Sequence, residues 1–197
     1  MITHCYNPIK LKDSDMYVPC GKCAPCRLAR VQEWQTRLAF ELKSWKFSAF
    51  ITLTYDNEHL PLNKSLVKSD LQKFFKRLRK RIYPRKVKYF AVGEYGEENK
   101  RPHYHIILFG LDPLNNDDRK AVINSWQLCD SLLFEWRKKH NAIDVANVAN
   151  IRYVSGYVQK KLYGGLAKEE YVDRIPPFSV SSQGLGLESF WKMPTDL

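Results

Sequence analysis

The sequence predicts an α+β domain built on a mostly antiparallel sheet that is flanked by helices. Helical and strand patterns follow one another in the order helix, strand, helix, strand, strand, helix, strand, helix. Two consecutive strand patterns are separated only by a short polar connection, which is typical of a β-hairpin. The chain has 197 residues, 44% hydrophobic and 13% aromatic, and this is enough apolar surface to bury a core.

The first half of the chain carries two predicted helices with a strand between them. Residues 27–45 have apolar side chains at spacings compatible with an amphipathic helix. Residues 46–57 are rich in β-branched and aromatic types, which predicts a strand. The second helix is expected over residues 69–82, capped by Ser69 or Asp70 and strongly basic on its outer face.

The second half of the chain supplies the hairpin and three further elements. Residues 86–96 and 102–111 are two strand patterns joined by a polar connection. Beyond them we expect, in order, a helix over 117–128, a short strand over 142–145 and a helix over 148–163 that ends at Gly164 and Gly165. Residues 129–141 are ambiguous and fit a continuation of the preceding helix.

The charge balance of the chain favours a polyanionic partner. Lysine and arginine total 32 against 21 acidic residues, which gives a net charge of +11. DNA, RNA and an acidic membrane surface all fit this charge. No apolar run approaches the ~20 residues that a membrane-spanning helix needs, and the first residues lack the apolar core of a signal peptide. We therefore expect a cytoplasmic protein without a membrane partner.

The stretch "RPHYHIILFG" places two histidines on one face of a predicted strand, because successive side chains alternate between faces. If Glu94 lies opposite His103 in the hairpin, its carboxylate joins the imidazoles of His103 and His105. Two histidines and a carboxylate suit a divalent ion such as Mn²⁺ or Mg²⁺ that also holds a phosphate oxygen. The alternative is that both histidines are partly buried strand residues without a metal.

Two tyrosines lie four residues apart on a predicted helix, so Tyr153 and Tyr157 share one face, which Lys160 and Lys161 continue. Tyrosine, with a pKa of about 10, becomes a feasible nucleophile toward phosphate when a metal withdraws charge and a lysine stabilises the phenolate. The lysines lie nearer to Tyr157, which predicts that Tyr157 attacks first and Tyr153 second. The alternative is ordinary packing of an amphipathic helix.

The cysteines are clustered near the start of the chain. Cys20, Cys23 and Cys26 form a C-x₂-C-x₂-C motif, and Cys5 is the natural fourth ligand for a structural zinc. An iron–sulfur cluster is the alternative, and His4 is an alternative ligand to Cys5. The remaining Cys129 is expected to be a buried apolar residue.

Basic and hydroxyl side chains provide candidate DNA contacts. The run between residues 73 and 88 is rich in lysine and arginine and contains aromatic residues, a composition that suits phosphate contacts. The candidates in and beyond this run are Lys73, Lys76, Arg77, Lys80, Arg81 and Lys161. Thr52 and Thr54 share one face of a strand, where they either contact DNA or orient metal ligands; ordinary β-propensity explains them equally well.

The motifs "TLTY", "GEYG", "RPHYHIILFG" and "YVSGYVQKKLYG", in this order, closely resemble those of the replication initiators of small single-stranded DNA bacteriophages. These initiators are the gokushovirus branch of the microviruses, within the HUH endonuclease superfamily. The resemblance runs from the cysteine cluster to about Gly165. It implies a ferredoxin-like palm, a metal on the His-hydrophobic-His strand and a nucleophile on a later helix.

Carried over by position, the family's functional residues fall on the candidates already named. His103 and His105 match the two histidines and Glu94 the additional acidic ligand. The paired tyrosines and the lysine three residues after the second one fall on Tyr153, Tyr157 and Lys160. The chain departs from the related Tyr-x-x-Lys-Tyr pattern, because Gly156 stands where that pattern has lysine.

The resemblance implies a rolling-circle replication initiator that nicks and joins single-stranded DNA at specific sites through a 5′-phosphotyrosine intermediate. Its partners would be a phage replication origin and the host replication helicase and polymerase, in the cytoplasm of an infected bacterium. An HUH transposase or a relaxase-type plasmid mobilisation enzyme would share this chemistry. A non-catalytic zinc protein that binds nucleic acid is the alternative from another class.

The chain divides into three expected parts. Residues 1–27 form a cysteine-rich metal-binding segment, a small zinc knob. Residues 28–166 form the HUH endonuclease domain. Residues 167–197 form a C-terminal extension that packs on that domain.

Overall fold

The computed structural model describes residues 5–129, 142–159 and 169–188, and the elements below belong to this part of the chain. Its main helices are α1 (Ala24–Ser44), α2 (Lys68–Ile82), α3 (Asn116–Ser125) and α4 (Val148–Gln159). Its strands are β1 (Ile9–Lys10), β2 (Tyr17–Val18), β3 (Ser48–Thr54), β4 (Lys88–Tyr95), β5 (Pro102–Phe109), β6 (Ile143–Val145) and β7 (Phe178–Ser181). β1 and β2 form a small separate hairpin, and the other five strands form one sheet.

The five-stranded sheet has the order β6-β3-β5-β4-β7, and each neighbouring pair is antiparallel. β3, α2, β4, β5, α3 and β6 follow one another as in the βαββαβ ferredoxin-like motif. β7 adds a fifth strand beside β4. The expected α+β class, with an antiparallel sheet and flanking helices, is therefore confirmed.

Side-chain alternation along the strands separates two hydrophobic cores, one on each face of the sheet. The core beneath α2 and α3 includes Ile51, Leu53, Phe74, Leu78, Tyr104, Ile106, Leu108 and Val122. The core beneath α1 and α4 includes Leu38, Phe90, Val92, Ile107, Phe109, Ile151 and Val154. His103 and His105 alternate in step with Ile107 along β5, so they lie on the face that α1 and α4 cover.

The start of α2 differs from the prediction. The helix begins at Lys68 with Val67 at the N-cap and no capping side chain, so the predicted capping by Ser69 or Asp70 is wrong. Asp70 lies inside the first turn, where the helix dipole favours a carboxylate. Its side chain accepts a hydrogen bond from the Tyr55 hydroxyl at 3.1 Å instead of capping the helix.

Short strands near both ends of the described chain are absent from the prediction. β1 and β2 pair only with each other, and β7 extends the main sheet from within the expected C-terminal extension. The ambiguous residues 130–141 and the predicted end of α4 at Gly164 and Gly165 lie outside the described residues. Among the described helices, none combines the length and the apolar character that crossing a membrane requires.

Candidate metal and nucleophile site

Strand pairing sets the positions of the candidate ligands. Glu94 on β4 lies directly opposite His103 on β5, as the hairpin register predicts. On the other side of β5, Thr52 lies opposite His105 and Thr54 lies opposite His103. A register slip of one residue would turn a whole strand's side chains to the other face. The register therefore brings one carboxylate and two imidazoles together on one face.

The ligand atoms converge in the metal-free structure. Glu94 Oε1 lies 2.8 Å from Nε2 of His103 and 2.8 Å from Nε2 of His105. The remaining ring nitrogens also have partners, since His105 Nδ1 is 3.0 Å from Thr52 Oγ1 and His103 Nδ1 is 3.2 Å from the Arg101 carbonyl oxygen. Such outer contacts fix the orientation of each ring, as they do in metal centres. Thr52 thus orients a candidate ligand.

Burial and hydrogen bonding set the protonation of this group. Burial alone would raise the pKa of Glu94, but hydrogen bonds from His103 and His105 outweigh it and hold that pKa below its ordinary value. Burial lowers the pKa of His105, and the neighbouring Glu94 only partly opposes this. Near neutral pH the structure therefore favours a charged carboxylate and a neutral His105 imidazole. These are the protonation states that bind a metal ion.

The two tyrosines on α4 face this group. The hydroxyl of Tyr153 lies 3.3 Å from Nε2 of His105, and their ring centroids are 5.0 Å apart. The ring of Tyr157 stacks on His105 at 6.0 Å and meets the ring of Tyr153 edge-on at 5.1 Å. The predicted shared face of the two tyrosines is therefore present, and it is directed at the histidines.

The surroundings of the two tyrosines differ. Burial raises the pKa of Tyr153, and a hydrogen bond from Tyr157 partly opposes that effect. Burial also raises the pKa of Tyr157, and there the same hydrogen bond adds to the increase. Among the described groups, the Tyr153 phenolate is thus the better stabilised. Lys160 and Lys161, on which the predicted order of attack depends, lie outside the described residues.

A cavity of about 380 Å³ opens over the site. Its lining includes the candidate metal ligands Glu94 and His103 and the candidate nucleophiles Tyr153 and Tyr157, but also residues that sequence reasoning missed: Tyr95, Glu97, Lys100, Glu170, Tyr171 and Arg174. Tyr95 stands in the quoted motif "GEYG", so its proximity was within reach. Tyr171 and Arg174 had no such signal, because their position depends on how a distant segment packs.

The four cysteines of the N-terminal cluster converge at the start of α1. Their sulfur atoms all lie within 4.8 Å of one another, and the Cys23 and Cys5 sulfurs are 3.9 Å apart. Four sulfurs at about 2.3 Å from a tetrahedral zinc would be roughly 3.8 Å from each other. The donor set and its spacing therefore fit a Cys₄ metal site.

Backbone amides support thiolate character in this cluster. The amides of Lys22 and Cys23 each lie 3.4 Å from the Cys20 sulfur. Hydrogen bonds from these amides lower the pKa of Cys20 to about 6. His4 lies outside the described residues. Cys129 is buried in the core beneath α2 and α3, as predicted.

The basic face of α2 lies away from the site. α2 packs on the opposite face of the sheet, so the structure does not bring its cations to the histidines. Arg77 Nε donates to the Ser125 carbonyl at 2.8 Å, and Arg81 donates to the Asn124 carbonyl at 3.1 Å. These two arginines therefore bind the end of α3. Lys73, Lys76 and Lys80 are exposed on the outer surface of α2.

The ferredoxin-like sheet and the grouping of histidines, carboxylate and tyrosines define the class of protein. Residues 48–162 match the family of the replication-associated protein ORF2, and this span is more than half of the chain. The chain belongs to this family. The matched span runs from β3 through α4 and so includes all three candidate metal ligands and both tyrosines.

Individual relatives are phage proteins. The chain is 37% identical over 186 residues to the replication-associated protein ORF2 of Spiroplasma virus 4, covering 88% of the chain and 57% of the relative. It is 32% identical over 193 residues to the replication-associated protein ORF4 of Chlamydia phage 1, covering 92% and 48%. It is 34% identical over 158 residues to the replication-associated protein VP4 of Bdellovibrio phage phiMH2K, covering 75% and 49%. The chain thus spans about half the length of these relatives. No solved structure matches it.

Proposed function

We propose that this chain initiates rolling-circle replication as an HUH tyrosine endonuclease, which nicks and joins single-stranded DNA at a phage origin. The observation that carries the proposal is the contact between the Tyr153 hydroxyl and Nε2 of His105, at 3.3 Å. A candidate nucleophile and a candidate metal-ligand set thus face the same cavity. The replication-associated names of the phage relatives agree with this role.

The residues at the centre of the site fit a divalent cation. One buried carboxylate and two imidazole nitrogens converge, and the second nitrogen of each ring has its own partner. Mn²⁺ or Mg²⁺ held by Glu94, His103 and His105 would polarise the scissile phosphate. Thr52 keeps His105 in the orientation that directs Nε2 toward the other ligands.

The tyrosines supply the nucleophile. A phenolic oxygen that has lost its proton attacks the phosphorus atom, the bond from phosphorus to O3′ breaks, and the departing oxygen takes up a proton to become a 3′-hydroxyl. The 5′-phosphate remains esterified to tyrosine. A later 3′-hydroxyl attacks this ester, reforms the phosphodiester and releases the tyrosine. Tyr153 and Tyr157 together allow two successive transfers, and Lys160 is the proposed cation beside the phenolate.

The remaining DNA contacts lie at two distances from the site. Thr54, opposite His103 on the neighbouring strand, and Lys161 are proposed to act near the nick. The exposed lysines of α2, Lys73, Lys76 and Lys80, are proposed to bind phosphates farther along the DNA, since they lie across the sheet from the histidines. The host replication helicase and polymerase are the proposed protein partners, in the cytoplasm of the infected bacterium.

The N-terminal cysteines are proposed to hold a structural zinc. The convergence of four sulfurs and the amide hydrogen bonds to Cys20 support this assignment. Because the cluster lies at the start of α1, the zinc would fix the N-terminal segment to a helix that covers the catalytic face of the sheet.

Covalent trapping tests the proposed function. Single-stranded oligonucleotides that tile the genome encoding this chain are incubated with the protein and Mn²⁺, and any adduct that survives denaturation is mapped to a peptide. We expect one oligonucleotide to be linked to Tyr153 or Tyr157. A chelator, or alanine at both His103 and His105, should remove the adduct.

The opposite results are equally clear. Cleavage that survives the loss of both histidines contradicts the metal site. A complete absence of adducts with the wild-type protein contradicts the nicking function and favours a non-catalytic DNA-binding role. An adduct outside α4 contradicts the assignment of the nucleophile.

A further inference from the structure

One wall of the site cavity is made of aromatic rings and a guanidinium group. The rings of Tyr95 and Tyr171 lie 5.8 Å apart with an angle of 23° between their planes. The guanidinium carbon of Arg174 lies 4.9 Å from the centroid of the Tyr95 ring and 6.0 Å from that of Tyr171. All three residues line the cavity that also contains Glu94, His103 and the two tyrosines of α4.

This wall is held in place by hydrogen bonds. The Tyr95 hydroxyl donates to the Ile175 carbonyl at 2.7 Å and accepts from the Leu66 amide at 3.1 Å. The Ile175 amide donates to Ser65 Oγ at 2.9 Å, so the segment that carries Tyr171 and Arg174 is fixed to the loop before α2. Arg174 also donates to the Glu170 carbonyl at 3.1 Å. The wall is therefore preformed and needs little ordering when a ligand binds.

The chemistry of the wall suits a nucleobase. Aromatic rings and arginine planes stack on bases of single-stranded nucleic acid with little sequence preference. The carboxylates of Glu97 and Glu170 also line the cavity. Carboxylates repel phosphate but accept hydrogen bonds from the amino groups on base edges. A volume of about 380 Å³ lies in the range of small-ligand sites.

We infer that Tyr95, Tyr171 and Arg174 form a subsite that binds the base of a nucleotide next to the scissile phosphate. This inference rests on the proposed nicking function. The subsite holds the DNA strand so that one phosphate lies between the candidate metal ligands and the tyrosines of α4. It gives the segment around Tyr171 a direct role in positioning the substrate.

The test uses the oligonucleotide that the wild-type protein nicks. Each nucleotide near the nick is replaced in turn by an abasic site, and kcat/KM is measured. We expect one abasic position to lower kcat/KM about tenfold, because losing a stacked base costs roughly that factor. Tyr171→Ala should cause a similar loss on intact DNA and little further loss on that abasic oligonucleotide. Non-additivity of this kind is the signature of direct contact.

Matched variants separate this role from a general structural one. Tyr171→Phe should keep the wild-type value, because the ring remains, and Val172→Ala, at an exposed neighbouring position, should also leave it unchanged. If Tyr171→Ala does not fold, Arg174→Gln replaces it in the same comparison. Equal rates at every abasic position, or losses that simply multiply, overturn the subsite while the nicking function stands. Failure of the wild-type protein to nick any oligonucleotide overturns both.

Discussion

Glu94 Oε1 lies 2.8 Å from Nε2 of His103, its direct partner across the β4–β5 hairpin. The same oxygen lies 2.8 Å from Nε2 of His105, two residues farther along the strand. One carboxylate therefore organises both imidazoles before any ion binds. Such preorganisation reduces the conformational cost of metal binding and keeps the site geometry close to the form that the reaction needs.

The hydroxyl of Thr52 is predicted to tune metal affinity through His105. Thr52→Val removes the oxygen that lies 3.0 Å from Nδ1 of His105 while keeping the shape of the side chain. Loss of an outer hydrogen bond of this kind typically weakens metal binding by about 10–100-fold. We expect the Mn²⁺ concentration needed for half-maximal cleavage to rise accordingly, with the rate restored at saturating Mn²⁺.

Thr54→Val is the control for this experiment. Thr54 lies on the same strand face, but its partner across the sheet, His103, has its Nδ1 near the Arg101 carbonyl. We expect a smaller change in the Mn²⁺ requirement. Equal changes in the two variants would show that Thr52 has no special relationship with His105.

The order of the two tyrosines is predicted differently by sequence and by structure. The nearer lysines predict that Tyr157 attacks first, and that order remains a prediction because those lysines lie outside the described residues. The described contacts favour Tyr153, which touches His105 and is 46% exposed. We expect Tyr153→Phe to eliminate the initial adduct and Tyr157→Phe to spare it while impairing transfer to a second oligonucleotide.

Peptide mapping of the first adduct decides the matter. The double phenylalanine variant should form no adduct at all. An initial adduct on Tyr157 in the wild-type protein would restore the order that the lysines predict and would show that their charge outweighs the contact with His105.

The cysteine cluster is predicted to bind about one zinc ion per chain and to affect stability more than chemistry. Removing the zinc, or replacing Cys20 with serine, should lower the melting temperature, since a loss of about 1 kcal/mol shifts a domain of this size by roughly 2–4 °C. Folded protein should still form the covalent adduct. Elemental analysis of freshly purified protein checks the metal, and iron with visible absorbance would favour an iron–sulfur cluster.

The exposed lysines of α2 are predicted to bind DNA away from the nick. The double variant Lys76→Glu, Lys80→Glu should weaken binding to long DNA and make the salt dependence of the binding constant shallower by about one to two phosphate contacts. Because α2 lies across the sheet from the site, cleavage of a short saturating oligonucleotide should not change. Lys43→Glu, Lys46→Glu makes the same change in charge elsewhere and should weaken binding less.

Sequence reasoning located the centre of the site because its geometry is local. The pairing of Glu94 with His103 follows from hairpin register, and the common face of Tyr153 and Tyr157 follows from helical spacing. The side of the sheet on which α2 packs was not predictable in this way, since helical and strand periods do not say which face meets which helix. The positions of Tyr171 and Arg174 depend on contacts with distant loops, for which the sequence offers no periodic signal.

The strand order β6-β3-β5-β4-β7 also has a consequence for biosynthesis. The three inner strands, which carry Thr52, Glu94, His103 and His105, are translated before either outer strand. Until β6 and β7 emerge from the ribosome, the inner strands present two unpaired edges, the kind of surface on which chains aggregate. The nascent chain therefore passes through a stage in which the ion-binding face is complete but the sheet is still open on both sides, and the tyrosines of α4 follow only after β6. A prematurely terminated chain would hold the ion ligands without a nucleophile and would leave the phage genome intact.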